Sequence, residues 1–125
     1  MSAGPIEPRE LAAGRELDAL VAEKVMGAVR PDRGPYWLYP DSPKGARSGS
    51  HTLPFYSGSM THAWEVVENM ARRGWKVDVQ NRFRPRWACH VFFPAPDYRH
   101  VYEHGDGEYG AALAICRAAL KAVES

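Results

Sequence analysis

The chain has 125 residues, of which 45% are hydrophobic and 25% charged, the composition of one globular domain. Its formal net charge of +1 argues against a general nucleic-acid coat, which needs a large positive excess. No apolar run approaches the roughly 18 residues of a membrane span, and the start lacks the pattern of a secretion signal. We therefore expect a single cytoplasmic domain over residues 1–125, with residues 1–8 a flexible terminus.

The first helix is predicted from the spacing of its apolar residues. Leu17, Val21 and Val25 recur at four-residue intervals, and Gly27 offers a stop. Gly14 is unfavourable inside a helix, so we expect the regular helix to begin at Arg15.

A long loop is predicted over residues 30–55, where prolines and glycines interrupt any longer element. Within it, only Tyr36 to Tyr39 has the pattern of a short strand. Lys44 to Thr52 is the most flexible candidate, and either a lid over a site or plain disorder fits it.

A central helix is predicted over Tyr56 to Trp75. Its apolar residues recur at three- and four-residue intervals, so we expect them to be buried, and Gly74 suits a left-handed exit. The predicted stripe consists of Met60, Ala63, Trp64, Val67, Met70 and Ala71.

Two or three strands and a last helix are predicted after the central helix. Alternating residues indicate strands over Trp75 to Phe83, Trp87 to Phe93 and, more loosely, Tyr98 to His104. The middle strand is apolar on both faces, which favours cover on two sides. With a helix from Gly110 to Val123, the chain predicts an α+β fold in which helices sandwich a small antiparallel sheet of three to four strands, a three-layer α/β/α arrangement.

Neither a metal site nor a catalytic set is predicted. His100 and His104 would lie roughly 13 Å apart on a strand, too far to share an ion. Cys89 and Cys116 fall on a strand and a helix, which favours two buried, reduced thiols over a disulfide. We expect no cofactor.

Anion binding is the functional hypothesis that the start of the central helix suggests. Tyr56, Ser57, Ser59 and Thr61 stand where helix amides and the positive dipole end meet the long loop. The alternative is that the hydroxyls only cap the helix.

A second group of candidates follows the central helix. Arg82, Arg84 and Arg86 could bind phosphates while Trp87 stacks on a base. The alternative is a solvated hairpin tip.

Three segments resemble a known family: LAAGRELDALVAEKVMG (11–27), the AWEVV core of the helix over 56–75, and LAICRAALKAVE (113–124). Together they resemble the phage ABA-sandwich domain family and, more distantly, NinX-like phage accessory proteins. The resemblance implies a helix–sheet–helix sandwich of phage or prophage origin. Together with the cytoplasmic expectation above, this places the chain in the host bacterial cytoplasm.

The functional expectation combines this resemblance with the candidate residues. We expect the chain to be a non-enzymatic accessory protein that binds a small nucleotide-like ligand and sequesters a host immune signal. We also expect it to be a homo-oligomer without membrane contact. One alternative is a protein that inhibits a host factor through its aromatic loop, and a third is a nucleotide-cleaving enzyme.

Overall fold

The computed structural model describes residues 13–40, 47–83, 86–94, 99–107 and 109–124. The predicted terminus 1–8, the first part of the segment from Lys44 to Thr52, and the turn at Arg84 and Pro85 lie outside these ranges.

The described residues form three helices and five strands. The elements are α1 (Arg15–Leu20, continued by a π-helical turn Val21–Val25), β1 (Tyr36–Tyr39), β2 (Gly49–Thr52), α2 (Met60–Arg72), β3 (Lys76–Phe83), β4 (Arg86–Phe92), β5 (His100–Gly105) and α3 (Gly110–Glu124). The predicted α+β class with small antiparallel sheets is confirmed. None of the helices within the described ranges combines the length and apolarity needed to cross a bilayer.

The main sheet has the strand order β3-β4-β5, with both pairs antiparallel. Its helix-facing side carries Cys89 at the centre, with Val79 opposite on β3 and Glu103 opposite on β5. The other side carries His90, with Asp78 and Tyr102 as its cross-strand neighbours. Tyr102 is 50% exposed, so within the described residues the cover expected on both faces of β4 is found on one face only.

The centre of the molecule is α3. It contacts all three strands of the main sheet, as well as α1, its π-helical turn and α2. Eleven of its residues, Gly110 to Cys116, Ala118 to Leu120 and Ala122, are buried, so burial extends around the helix. Its alanines make this close approach possible because they add little side-chain volume. Cys89 and Cys116 are both buried and unpaired, as predicted.

The prediction for α2 is wrong at its start and in part of its buried stripe. The helix begins at Met60 because Tyr56 to Gly58 form a turn. Ala63, Val66 and Met70 are the residues that it buries, whereas Met60 is 45% and Trp64 53% exposed. The apolar stripe of α2 is wider than the surface that α3 and the π-helical turn cover, so Met60 and Trp64 at its edge face solvent.

The end of α2 follows the prediction. Gly74 is left-handed with φ of 94°, and the amide of Trp75 donates to the carbonyl of Met70. The indole of Trp75 is buried.

The predicted long loop contains a β-hairpin. β1 was expected and pairs with β2, which was not, in the antiparallel register Tyr36↔Thr52 to Tyr39↔Gly49. Plain disorder, one of the two alternatives for the segment up to Thr52, therefore does not describe Gly49–Thr52, which is a paired strand. The local sequence of β2, with glycine and serine, carries no strand signal, and its order comes from pairing with β1.

Candidate functional site

An aromatic cleft with a volume of about 350 Å³ lies between α2, the main sheet and the start of α3. This volume is within the range of small-molecule sites, about 300–1,000 Å³. Three of its lining side chains are large and half exposed, namely Met60, Trp64 and Tyr109. The remaining lining residues are Val79, Trp87, Ala111 and Ala112.

Two helix N-termini border this cleft. Met60 is the first residue of α2, and Ala111 and Ala112 belong to the first turn of α3. The first amides of a helix have no intrahelical acceptor and carry partial positive charge. Neither first turn contains an acidic residue. The cleft therefore combines aromatic walls with an electrostatic preference for an anion at its border.

Close backbone contact between β5 and α3 brings Trp87 and Tyr109 together. A Cβ on Gly105 would lie 2.1 Å from the carbonyl oxygen of Gly110, and one on Gly110 would lie 2.9 Å from Cδ1 of Trp87. Such distances exclude any side chain at either position. The two glycines thereby place the start of α3 directly against the indole that lines the cleft.

The first two predicted site residues lie in the interior. Tyr56 is fully buried, and its hydroxyl lies 2.8 Å from the hydroxyl of Tyr39. Burial, and then the hydrogen bond to Tyr39, raise the pKa of Tyr56. This side chain anchors the hairpin to the core and does not face solvent.

Ser57 bonds to a carboxylate of α1 and does not cap α2. Its amide and its hydroxyl both donate to Oδ1 of Asp18, each at 2.7 Å. Its hydroxyl oxygen also accepts from the amide of Gly14 at 2.9 Å. Ser57 is 1% exposed and next to a carboxylate, so it is not placed to receive an anion.

Ser59 and Thr61 flank Met60 at the border of the cleft. Ser59 is the N-cap residue of α2, and its side chain makes no capping hydrogen bond within the described residues. Thr61 is exposed. These two hydroxyls are the part of the predicted anion site that stays near solvent.

The structure describes only part of the predicted arginine group. Trp87 lines the cleft. Arg86 precedes it on β4, so its side chain leaves the sheet on the opposite face, where its Nε donates to Asp106 at 3.0 Å. The side chain of Arg82 and all of Arg84 lie outside the described residues.

Sequence reasoning missed Met60, Trp64 and Tyr109 as site residues. Met60 and Trp64 were assigned to the core, although they lie four residues apart at one edge of the stripe. A large aromatic residue at the edge of an apolar stripe was the available signal for a surface cleft. Tyr109 carried no comparable signal, since its position depends on how α3 meets β5.

Among the described residues, no group of three or more His, Cys, Asp or Glu side chains is placed to hold a metal ion.

Comparison with known proteins identifies the family. No curated protein and no solved structure matches the chain significantly. A family model described as the phage ABA sandwich domain matches residues 19–120. The chain therefore belongs to the phage ABA sandwich domain family.

Proposed function

We propose that this phage protein binds a small nucleotide-like ligand in the aromatic cleft and acts by sequestering it. The observation that carries the proposal is the cleft itself, where aromatic side chains and two helix N-termini meet. A host antiphage immune signal of nucleotide chemistry is the class of ligand proposed.

The rings of the cleft supply the base-binding part. Trp64 and Tyr109 are 53% and 51% exposed, and Trp87 lines the cleft with them. Stacking of a base on an aromatic side chain contributes about 1–3 kcal/mol and depends little on which base is bound. A planar ring in the cleft would cover apolar surface that is now in contact with water.

The helix N-termini supply the phosphate-binding part. A phosphate at the border would receive hydrogen bonds from first-turn amides of α2 and from the hydroxyls of Ser59 and Thr61. Glu65, the first acidic residue of α2, is bound by Arg47 through two hydrogen bonds of 2.9 and 2.8 Å. This pairing reduces the repulsion that its carboxylate would exert on an anion.

Binding without conversion is tested by recovering the ligand. The purified chain is mixed with a panel of cyclic, linear and ADP-ribose-type nucleotides, and its melting temperature is measured. Denaturing the complexes and analysing the released compound by mass spectrometry then separates the classes. Intact ligand supports sequestration, altered ligand indicates an enzyme, and no melting shift with any member contradicts nucleotide binding.

The location of the site is tested with Trp64→Ala. We expect this change to weaken binding roughly 5- to 150-fold, the equivalent of one lost stacking contact, while the melting temperature of the free chain changes little. Tyr36→Ala is the matched control, since Tyr36 is an aromatic residue with 62% exposure on the hairpin. Equal loss in both variants would place the ligand elsewhere.

The alternative function is inhibition of a host protein through the hairpin. It is favoured by one observation: Val29, Tyr36 and Leu38 are 61%, 62% and 53% exposed, and Val29 pairs with Leu38 through an isolated bridge. Exposed apolar side chains grouped in this way are typical of protein-binding surfaces. This alternative would be supported if the chain binds no nucleotide but inhibits a host protein, and if Leu38→Glu abolishes that inhibition.

A further inference from the structure

A histidine pair lies on the open face of the main sheet, opposite the helices and the cleft. His90 is on β4 and His100 on β5, and Nε2 of His90 lies 3.0 Å from Nδ1 of His100. The two rings are nearly parallel, with an interplanar angle of 10°. His100 is exposed, so an ion in solution has direct access to the pair.

The separation of the two nitrogens fits a shared metal ion. Metal–imidazole bonds are about 2.0–2.1 Å long, so two cis nitrogens lie about 2.9 Å apart at a right angle and about 3.4 Å apart in a tetrahedron. The observed 3.0 Å is within that interval. In the present hydrogen bond the nearly parallel rings aim these two nitrogens at each other, so both rings must rotate before the two lone pairs can point at one ion.

Neighbouring rings hold His90 in place. The ring of Tyr102 stacks on it with a centroid distance of 4.2 Å and an interplanar angle of 7°, and that of Phe92 lies 4.6 Å away. Imidazole nitrogens are the commonest metal ligands among protein side chains.

A carboxylate also lies on this face, although among the described residues it is not placed to complete a three-ligand set with the two histidines. Asp78 is the cross-strand neighbour of His90 on β3, and its Oδ2 accepts a hydrogen bond from Gln80 at 2.9 Å. Directly opposite residues of an antiparallel pair have Cβ atoms about 4.5–5.5 Å apart. Rotation of the exposed Asp78 side chain away from Gln80 would bring a negative charge toward an ion held by the two histidines.

We propose that His90 and His100 bind a divalent transition-metal ion of the Ni²⁺, Cu²⁺ and Zn²⁺ type, with water in the remaining positions. These ions prefer imidazole ligands, whereas Mg²⁺ and Ca²⁺ prefer oxygen. The proton in the present hydrogen bond moves to the outer nitrogen of the same ring, so both facing nitrogens offer lone pairs without net proton loss. The proposal is independent of nucleotide binding because it concerns the opposite face of the sheet.

The test is calorimetric titration of the full chain, prepared without a histidine tag, with Ni²⁺ and Zn²⁺ at neutral pH. We expect one ion per chain and no heat with Mg²⁺. His90→Ala and His100→Ala should each weaken binding at least about tenfold, the loss that even an outer-shell partner causes. Asp78→Asn should weaken it less, because the carboxylate contributes charge more than geometry.

His104→Ala is the matched control. His104 is exposed on the same face but four residues away along β5 from His100. Its replacement should leave the affinity unchanged, and circular dichroism should show that all variants are folded. The proposal is overturned if the parent chain binds neither ion at millimolar concentration, or if binding survives both His90→Ala and His100→Ala.

Discussion

Asp18 is a charged side chain placed deep in the interior, with 1% exposure. Arg15 donates to its Oδ2 at 3.0 Å, and Ser57 donates to its Oδ1 from both amide and hydroxyl. This carboxylate connects α1 to the turn that precedes α2. It therefore sets the position of the α2 N-terminus at the border of the cleft.

Replacing Asp18 with Ala should destabilise the fold by about 3 kcal/mol or more, since both donors of Ser57 would be left buried without their acceptor. Urea denaturation provides the measurement. Glu23→Ala is the control, because the Arg30–Glu23 pair is half exposed and contributes about 1 kcal/mol or less. Similar losses for the two variants would contradict the structural role of Asp18.

The buried thiols and Tyr56 make the fold sensitive to alkali. Burial raises the pKa of Cys89 from 9.0 to about 12, and burial also raises the pKa values of Cys116 and Tyr56. In the unfolded chain these groups lose their protons at their ordinary pKa values. Stability is thus fully present below about pH 9 and falls as the pH rises toward 12, because the unfolded state then binds fewer protons.

We expect the free energy of unfolding to fall by about 1 kcal/mol per pH unit for Cys89 alone above about pH 9. Urea denaturation with reductant between about pH 8 and about pH 10.5 measures this slope. Cys89→Ala should reduce the slope, so that its loss of stability relative to the parent is largest below about pH 9 and becomes smaller as the pH rises. A slope equal to that of the parent would show that Cys89 ionises alike in both states.

At the residue scale, the sequence identified side chains that matter but not what they contact. Ser57 was recognised as a polar residue next to a helix start. Its partner, Asp18, lies 39 positions earlier, and no local pattern indicates such a long-range hydrogen bond. The face of the sheet that Arg86 occupies could not be assigned before the register of β4 was known.

At the element scale, the contact between β5 and α3 decides the geometry of the cleft. Gly105 and Gly110 approach so closely that a Cβ on Gly105 would also lie 2.8 Å from the amide nitrogen of Ala114. Backbone atoms cannot move aside as a flexible side chain would. A substitution here must shift α3 against the sheet.

Gly105→Ala should therefore cost at least about 3 kcal/mol of stability, the upper range for overpacked sites. Gly58→Ala is the control, because a Cβ there meets no atom within 4 Å and the change is expected to alter stability by less than about 1 kcal/mol. Thermal denaturation of both variants makes the comparison. A fully stable Gly105→Ala chain would contradict the close approach.

Element types followed from the sequence because each has its own periodicity. The strands of the main sheet alternate, and the helices carry apolar residues at helical spacing, so their positions were predicted within a few residues. The rotation of α2 about its axis was not predicted correctly, because the predicted stripe included Met60 and Trp64 in addition to the residues that the helix buries. The width of an apolar stripe does not show which edge a neighbour covers.

At the scale of the whole molecule, the cleft draws on separate parts of the chain: Met60 and Trp64 of α2, Val79 of β3, Trp87 of β4, and Tyr109, Ala111 and Ala112 at the start of α3. Sequence reasoning proposed the start of α2 and Trp87 as two candidate sites. Of those candidates only Trp87 lines the cleft, while Ser59 and Thr61 flank the lining residue Met60, and the N-terminus of α3 completes the cleft. These residues line one cleft only because α3 packs closely against β5, and no short sequence motif encodes that packing.

The most direct test of the proposed ligand site uses the four tryptophans as separate reporters. Trp64 and Trp87 line the cleft, whereas Trp37 and Trp75 are buried at 6% exposure away from it. Their indole N–H signals can be followed by NMR while the nucleotide with the largest melting shift is added. We predict that the signals of Trp64 and Trp87 move with the titration and that those of Trp37 and Trp75 stay in place. Movement of the Trp37 signal with those of Trp64 and Trp87 unchanged would contradict a ligand site in the cleft.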